Sequence, residues 1–197
     1  MGAMGTLALR GLVDIQIGYG FRAGVTPDTA GRTGIIQMKD LGDDHIVDLP
    51  GMARVSMDVP AGRQVERGDV VLRSRGDRST GAIVAADPGP ALVAAPLLRL
   101  RVVDERLLPA YLNWYLNQPS TQTHFARHAE GSSVKMISKQ VLEDLEVAVP
   151  PLDRQESIVA LAALSARERT LCSDIHSARG QLLADVMMQY AQGSEVR

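Results

Sequence analysis

The sequence is short of several things, and each shortage removes a class of protein. Among 197 residues there is one cysteine, Cys172, which excludes an internal disulfide and a cysteine-built zinc site. No apolar run approaches the length needed to cross a bilayer, so no membrane association is expected. Between Met1 and Leu9 no basic segment precedes a hydrophobic stretch, so no secretion signal is read and a cytoplasmic protein is expected. Net positive charge is also missing. The formal charge is −2, whereas a protein that held nucleic acid by bulk charge would be strongly basic. Lysine is scarce, 3 against 18 arginines. A GC-rich genome produces such a bias. Arginine is also the cation suited to bidentate contacts with phosphate and guanine.

Catalytic signatures are missing as well. The chain has no nucleotide-binding P-loop and no Gly-x-Gly-x-x-Gly loop at a strand–helix junction. The glycines of GYGFRAG (18–24) precede no helical pattern and read as a turn. His124 and His128 have the four-residue spacing that can hold a metal on a helix. No glutamate sits between them as in a zincin and no third ligand is evident, so they read as surface or packing residues. NQPS (117–120) is not the tetrapeptide of an amino-methyltransferase. Gln37-Met38-Lys39 is a poor match to a nuclease motif, and Asp43-Asp44 is more simply a turn.

What is present is 45% hydrophobic residues, enough to fill a core. Residues 1–150 read as a mixed domain dominated by short strands. Strands are expected at 34–39, at 53–59, after the Gly68-Asp69 turn in VERGDVVLRSRG (65–76), at 81–86 and at 96–103. In the last, Leu98, Leu100 and Val102 share one face, with Arg99 and Arg101 on the other. From Leu108 the period changes to helical. Two helices are expected, the second opening at Pro119, because proline suits a first helical turn. Residues 130–137 read as an exposed loop. Ser138 is placed to cap a short helix, and a last strand runs from Leu145 to Val149.

Residues 151–197 read differently. Pro150-Pro151 ends the last strand, since proline donates nothing to a sheet ladder. Asp153 followed by Glu156 has the spacing of a capping box, and the helix is expected to run to about Tyr190. Some 36 residues would extend roughly 54 Å. Leu161, Leu164, Leu171, Ile175, Ala178 and Leu182 recur at three and four, with Glu168 breaking the seam. This coiled-coil pattern needs a second helix, and the chain supplies none of comparable length. A helix packed on its own domain is the competing reading, and length counts against it.

Candidate recognition residues cluster. Arg63, Arg67, Arg73, Arg75 and Arg78 fall within sixteen residues, offset by Glu66, Asp69 and Asp77. Such a stripe could follow a phosphate backbone, although solvated strand faces carry arginines too. Ser132, Ser133 and Lys135 are small donors or cations in a loop, suited to phosphates or base edges. Gln37 and Lys39 lie at a strand end, where an amide can read adenine.

Several segments together resemble one family. They are IQIGYGFR (15–22), GIIQMKDLGD (34–43), VERGDVVLRSRG (65–76), LLPAYLNWYLN (107–117) and GSSVKMISKQVLEDLEVAVPPLDRQESIV (131–159), followed by the long helix. In this order they resemble the target recognition domain and following helix of the specificity subunits of type I restriction–modification systems. The most specific part is the junction carrying Pro150, Pro151, Leu152, Gln155 and Ile158. The resemblance implies an α+β fold, with a twisted mixed β-sheet and short helices followed by a long C-terminal helix of coiled-coil type. It implies a non-catalytic reader of double-stranded DNA, with Arg22 joining Gln37, Lys39, Arg73, Arg75, Arg78, Ser132, Ser133 and Lys135 as DNA-binding candidates. The helix would serve as spacer and as dock for methyltransferase subunits, which use S-adenosylmethionine; a restriction subunit joins for cleavage. This chain would need no cofactor of its own. A usual specificity subunit holds two recognition domains and two helices, and this chain has one of each. A half-subunit that forms a homodimer is the expectation. The competing class is a regulatory or anti-restriction protein that uses the same fold to bind protein.

Overall fold

The structure is a computed structural model and describes residues 5–22, 24–76, 78–131 and 135–192. It divides into two units, with the boundary between Val159 and Ala160. Among the described residues of the first, nine strands form three sheets. β2 (Val13–Ile17), β5 (Val70–Arg73), β6 (Gly81–Ile83) and β8 (Leu97–Val102) make an antiparallel sheet in the order β2-β8-β5-β6. β3 (Thr33–Ile36), β4 (Ala53–Val55) and β7 (Ala91–Val93) make a second sheet in the order β4-β3-β7, with β3 parallel to β7. β1 (Thr6–Ala8) pairs with β9 (Glu146–Ala148), joining the two ends of the domain. This is the α+β architecture expected.

The four-stranded sheet is buried on both faces. Val13, Ile15, Val70, Leu72, Leu98 and Leu100 face a core shared with three helices. These are α1 (Pro109–Leu116), which contributes Tyr111, Leu112 and Leu116, α2 (Pro119–His128), which contributes Phe125, and α3 (Lys139–Glu143), which contributes Leu142. On the opposite face Val71, Ala82 and Leu97 pack with Ile36, Ala91 and Val93 of the second sheet. The alternation of a strand therefore separates two cores rather than core from solvent. Arg99 and Arg101 consequently point into protein. Arg99 is 3% exposed, and its Nη2 lies 2.6 Å from Asp14 Oδ2. Arg101 makes a two-pronged pair with the buried Asp69 at 2.7 and 2.8 Å and reaches Glu66 at 2.7 Å.

The helical expectations hold locally. Pro109 and Pro119 open α1 and α2, and the Ser138 hydroxyl accepts from Val141 N at 3.3 Å to cap α3. Two strands are shorter than expected. The run at 34–39 leaves the sheet after Ile36, and Met38–Asp40 forms a 3-10 turn closed by Gln37 N donating to Asp40 Oδ2 at 2.8 Å. The run at 53–59 is paired only to Val55.

α4 (Leu152–Ala191) starts one residue before the cap expected at Asp153. Arg154 N and Gln155 N both donate to Pro151 O, so Asp153 sits inside the first turn, where a carboxylate favours the positive end of the helix dipole. Within the first unit the helix packs through Gln155, which is fully buried, and through the partly buried Ile158 and Val159. Beyond Ala160 the helix is a unit by itself. Leu161, Leu164, Leu171, Ile175 and Leu182 are between 53% and 67% exposed. Leu183, Met187, Met188 and Tyr190, which the three–four pattern does not select, are exposed as well. No helix among the described residues is long and apolar enough to cross a membrane.

Candidate nucleic-acid interface

Strand register gathers the candidate residues. In the four-stranded sheet Ile17 pairs with Leu98 and Arg73 pairs with Leu97, so the C-terminal ends of β2 and β5 flank the start of β8. In the second sheet β3 and β7 run in parallel and both end here: Ala94 N donates to Ile36 O at 2.9 Å. The segment Ala94–Leu97 is thus the hub of one end of the domain. Tyr19 bridges to Ala94, and its carbonyl accepts from Ala95 N at 2.9 Å. The Ser74 hydroxyl donates to Pro96 O. Gly18 is required by this closeness, because a Cβ there would lie 2.5 Å from the Ala94 backbone.

Four segments lie at that end: Gly18–Arg22 after β2, Gln37–Asp40 after β3, the residues after β5 that include Arg75 and Arg78, and Lys135–Ile137. The last two are stitched together. Arg75 bridges to Met136, Gly76 N donates to Lys135 O at 3.0 Å, and Ile137 N donates to Ser74 O at 2.8 Å. Gly76 has φ +118, a conformation that side chains with a Cβ rarely adopt. Sequence alone placed Arg75 in the strand segment 65–76 and Lys135 in the separate loop 130–137; the backbone pairing makes them neighbours. Arg22, Arg75, Arg78 and Lys135 are exposed.

Not every candidate is free to reach outward. The Arg73 guanidinium turns inward, and its Nη2 donates to Met38 O at 3.0 Å and Leu41 O at 2.8 Å. Its Nε is buried without a partner among the described residues. Arg73 therefore ties β5 to the 3-10 turn. Lys39 is exposed, 3.1 Å from Asp40 Oδ1 and 3.2 Å from Gly51 O, so part of its charge is neutralised. Gln37 is half-buried at the head of the turn. Ser132 and Ser133 lie outside the described residues.

One feature of this end escaped the sequence reading. Gly18, Tyr19, Gly20, Phe21, Arg22, Met57 and Arg63 line an open cavity of about 640 Å³. The Tyr19 and Phe21 rings meet edge to face at 5.0 Å. Arg63 Nη1 donates to Ile17 O at 3.0 Å, and its guanidinium carbon lies 6.0 Å from the Tyr19 ring centre. The glycines around Tyr19 were the available signal, since small residues beside an aromatic permit close backbone approach.

The His124 and His128 rings stack at 4.3 Å, and no group of three metal-ligating side chains occurs among the described residues.

No protein-family model matches the chain, and no curated protein matches it in sequence. Solved structures match it in fold. A chain from a study of complex assembly and conformational transition of the type I restriction–modification system superposes with a TM-score of 0.69 at 17% identity, over 94% of this chain and 44% of that one. The HsdS subunit from Thermoanaerobacter tengcongensis gives 0.57 at 18% identity, over 85% and 38%. The type I restriction–modification S subunit from M. genitalium gives 0.56 at 15% identity, over 91% and 44%. The protein thus has the fold of type I S subunits, as the motifs implied, and it spans less than half the length of each of these chains.

Proposed function

We propose that the protein is a non-catalytic DNA-recognition subunit of a type I restriction–modification or adenine-methyltransferase complex, acting as a half-subunit in the cytoplasm. The observation that carries this reading is the convergence of Arg22, Lys39, Arg75, Arg78 and Lys135 at one end of a domain with the S-subunit fold. Cations from sequence-distant loops at one rim suit a phosphate backbone, and the half-buried Gln37 at the head of the turn that carries Lys39 is of the residue type that suits a base edge. In this reading Arg73 acts through the turn it holds rather than by contact. S-adenosylmethionine belongs to the methyltransferase subunits, with a restriction subunit added for cleavage.

The helix completes the proposal. Its exposed stripe pairs with the same helix of a second copy, in an isologous contact about a two-fold axis. Two symmetry-related recognition domains would read an inverted repeat. The test is repeated selection from a random-sequence duplex library, followed by methylation assays with S-adenosylmethionine. Enrichment of an inverted repeat, and DNA modification only when a methyltransferase subunit is added, is the expected result. Failure to enrich any sequence, or turnover by the purified chain alone, would overturn the reading. Binding that DNA cannot compete, from a protein partner instead, would favour the regulatory alternative.

A further inference from the structure

The cavity beside Tyr19 has a composition that phosphate binding does not explain. A groove for the DNA backbone needs cations alone. Here two aromatic rings and the Met57 thioether form the walls, with Arg22 exposed and Arg63 pinned over the Tyr19 face. The described lining residues include two arginines and no carboxylate, so the cavity suits an anion better than a cation. Tyr19, Phe21 and Met57 are only half-buried, leaving apolar surface accessible from outside. The volume is within the range of small-molecule sites. The segment is held rigidly: Tyr19 N donates to Val93 O at 2.7 Å, and Gly18 abuts the Ala94 backbone. Aromatic faces, a polarisable sulfur and guanidinium groups together are what a planar ring bearing a phosphate requires.

We infer that this cavity receives one nucleobase unstacked from DNA, its ring against Tyr19 and Phe21 and its phosphate at Arg22. The inference rests on the DNA-recognition reading and adds a second mode to it. A base inside a duplex hides its faces, and only an unstacked one offers a π-surface to stack on. The rim cations would then hold the paired duplex while the cavity takes the displaced base.

The experiment compares three duplexes of one sequence: fully paired, with a single bulged thymine, and with a single bulged abasic residue. The abasic bulge keeps the backbone distortion and removes the ring. Binding of the full chain is followed by fluorescence anisotropy. The thymine bulge is expected to bind about tenfold tighter than the other two, the factor one stacked base supplies. Phe21→Leu and Tyr19→Leu, each checked for an unchanged circular dichroism spectrum, should bring the ratio of base to abasic bulge near one. Equal affinity for both bulges overturns the proposal whether or not the variants fold, as does a preference that persists in both folded variants. Equal binding of all three duplexes removes the base cavity and leaves DNA recognition standing; binding of none removes both.

Discussion

Leu108 donates its backbone N–H to the side chain of Gln155 at 2.9 Å, across 47 residues of sequence. The same amide donates from Nε2 to Arg106 O and Pro150 O, each at 2.7 Å. One fully buried glutamine therefore satisfies three backbone groups from two loops, and it fixes where α4 starts. Gln155→Ala should destabilise the domain by about 3 kcal/mol, because it strands buried polar groups. Ser157→Ala, which removes an exposed bond to Asp153 O, should fall within about 0.5 kcal/mol of wild type. Urea unfolding of both variants checks the contrast.

The Arg101–Asp69 pair makes a second stability prediction. Asp69 is 1% exposed and accepts both prongs of the guanidinium. Arg101→Ala leaves that carboxylate buried without its cation, at a cost of about 3–5 kcal/mol. Arg101→Lys should recover only part, since an ammonium cannot reproduce the fork. Thermal melts of the two variants test this.

Salt dependence separates contact from support. Arg75→Ala, Arg78→Ala and Lys135→Ala should each weaken DNA binding and reduce the slope of log affinity against log salt by about one. Arg73→Ala should weaken binding through a loosened Met38–Asp40 turn and leave the slope unchanged. A slope change for Arg73→Ala equal to the others would place its guanidinium on phosphate instead.

Leu171 lies in the middle of the exposed stripe on α4, and Leu171→Asp would bury a charge in any paired helix. Light scattering at micromolar concentration should report a dimer for wild type and a monomer for the variant. A wild-type monomer, alone and with a methyltransferase subunit, would leave the helix as a dock for other chains.

His124 gives a pH signature. Burial lowers its pKa below the ordinary 6.5, helped by the charges of His128 and Arg127. The unfolded chain therefore takes up the proton at higher pH than the folded one. The stability this group contributes is present above pH 6.5 and is lost as pH falls toward the lowered value. Between pH 7.5 and 5.5 the wild type should lose more melting temperature than His124→Gln.

Much of the fold was written in local signals. The change of period at Leu108, Pro119 at a helix start, Ser138 as a cap and the long helix that follows Pro150-Pro151 each depend on local residue patterns, and each is found where expected. The order of motifs carried the fold class for the same reason. What the sequence left open depends on partners far along the chain. Nothing near Arg99 says that its face of β8 meets a second sheet, because alternation gives the period of a strand and not what covers it. Nothing near Gln155 says that Leu108 lies above it. The candidate interface is the clearest case. Arg22, Gln37, Arg75 and Lys135 were legible as residue types suited to DNA, but only the register of β2, β3, β5 and β7 around Ala94–Leu97 brings their loops to one end of the domain. Hydrogen-bond register is a long-range choice made by the whole core, so it is decided when the sheets pack and not before.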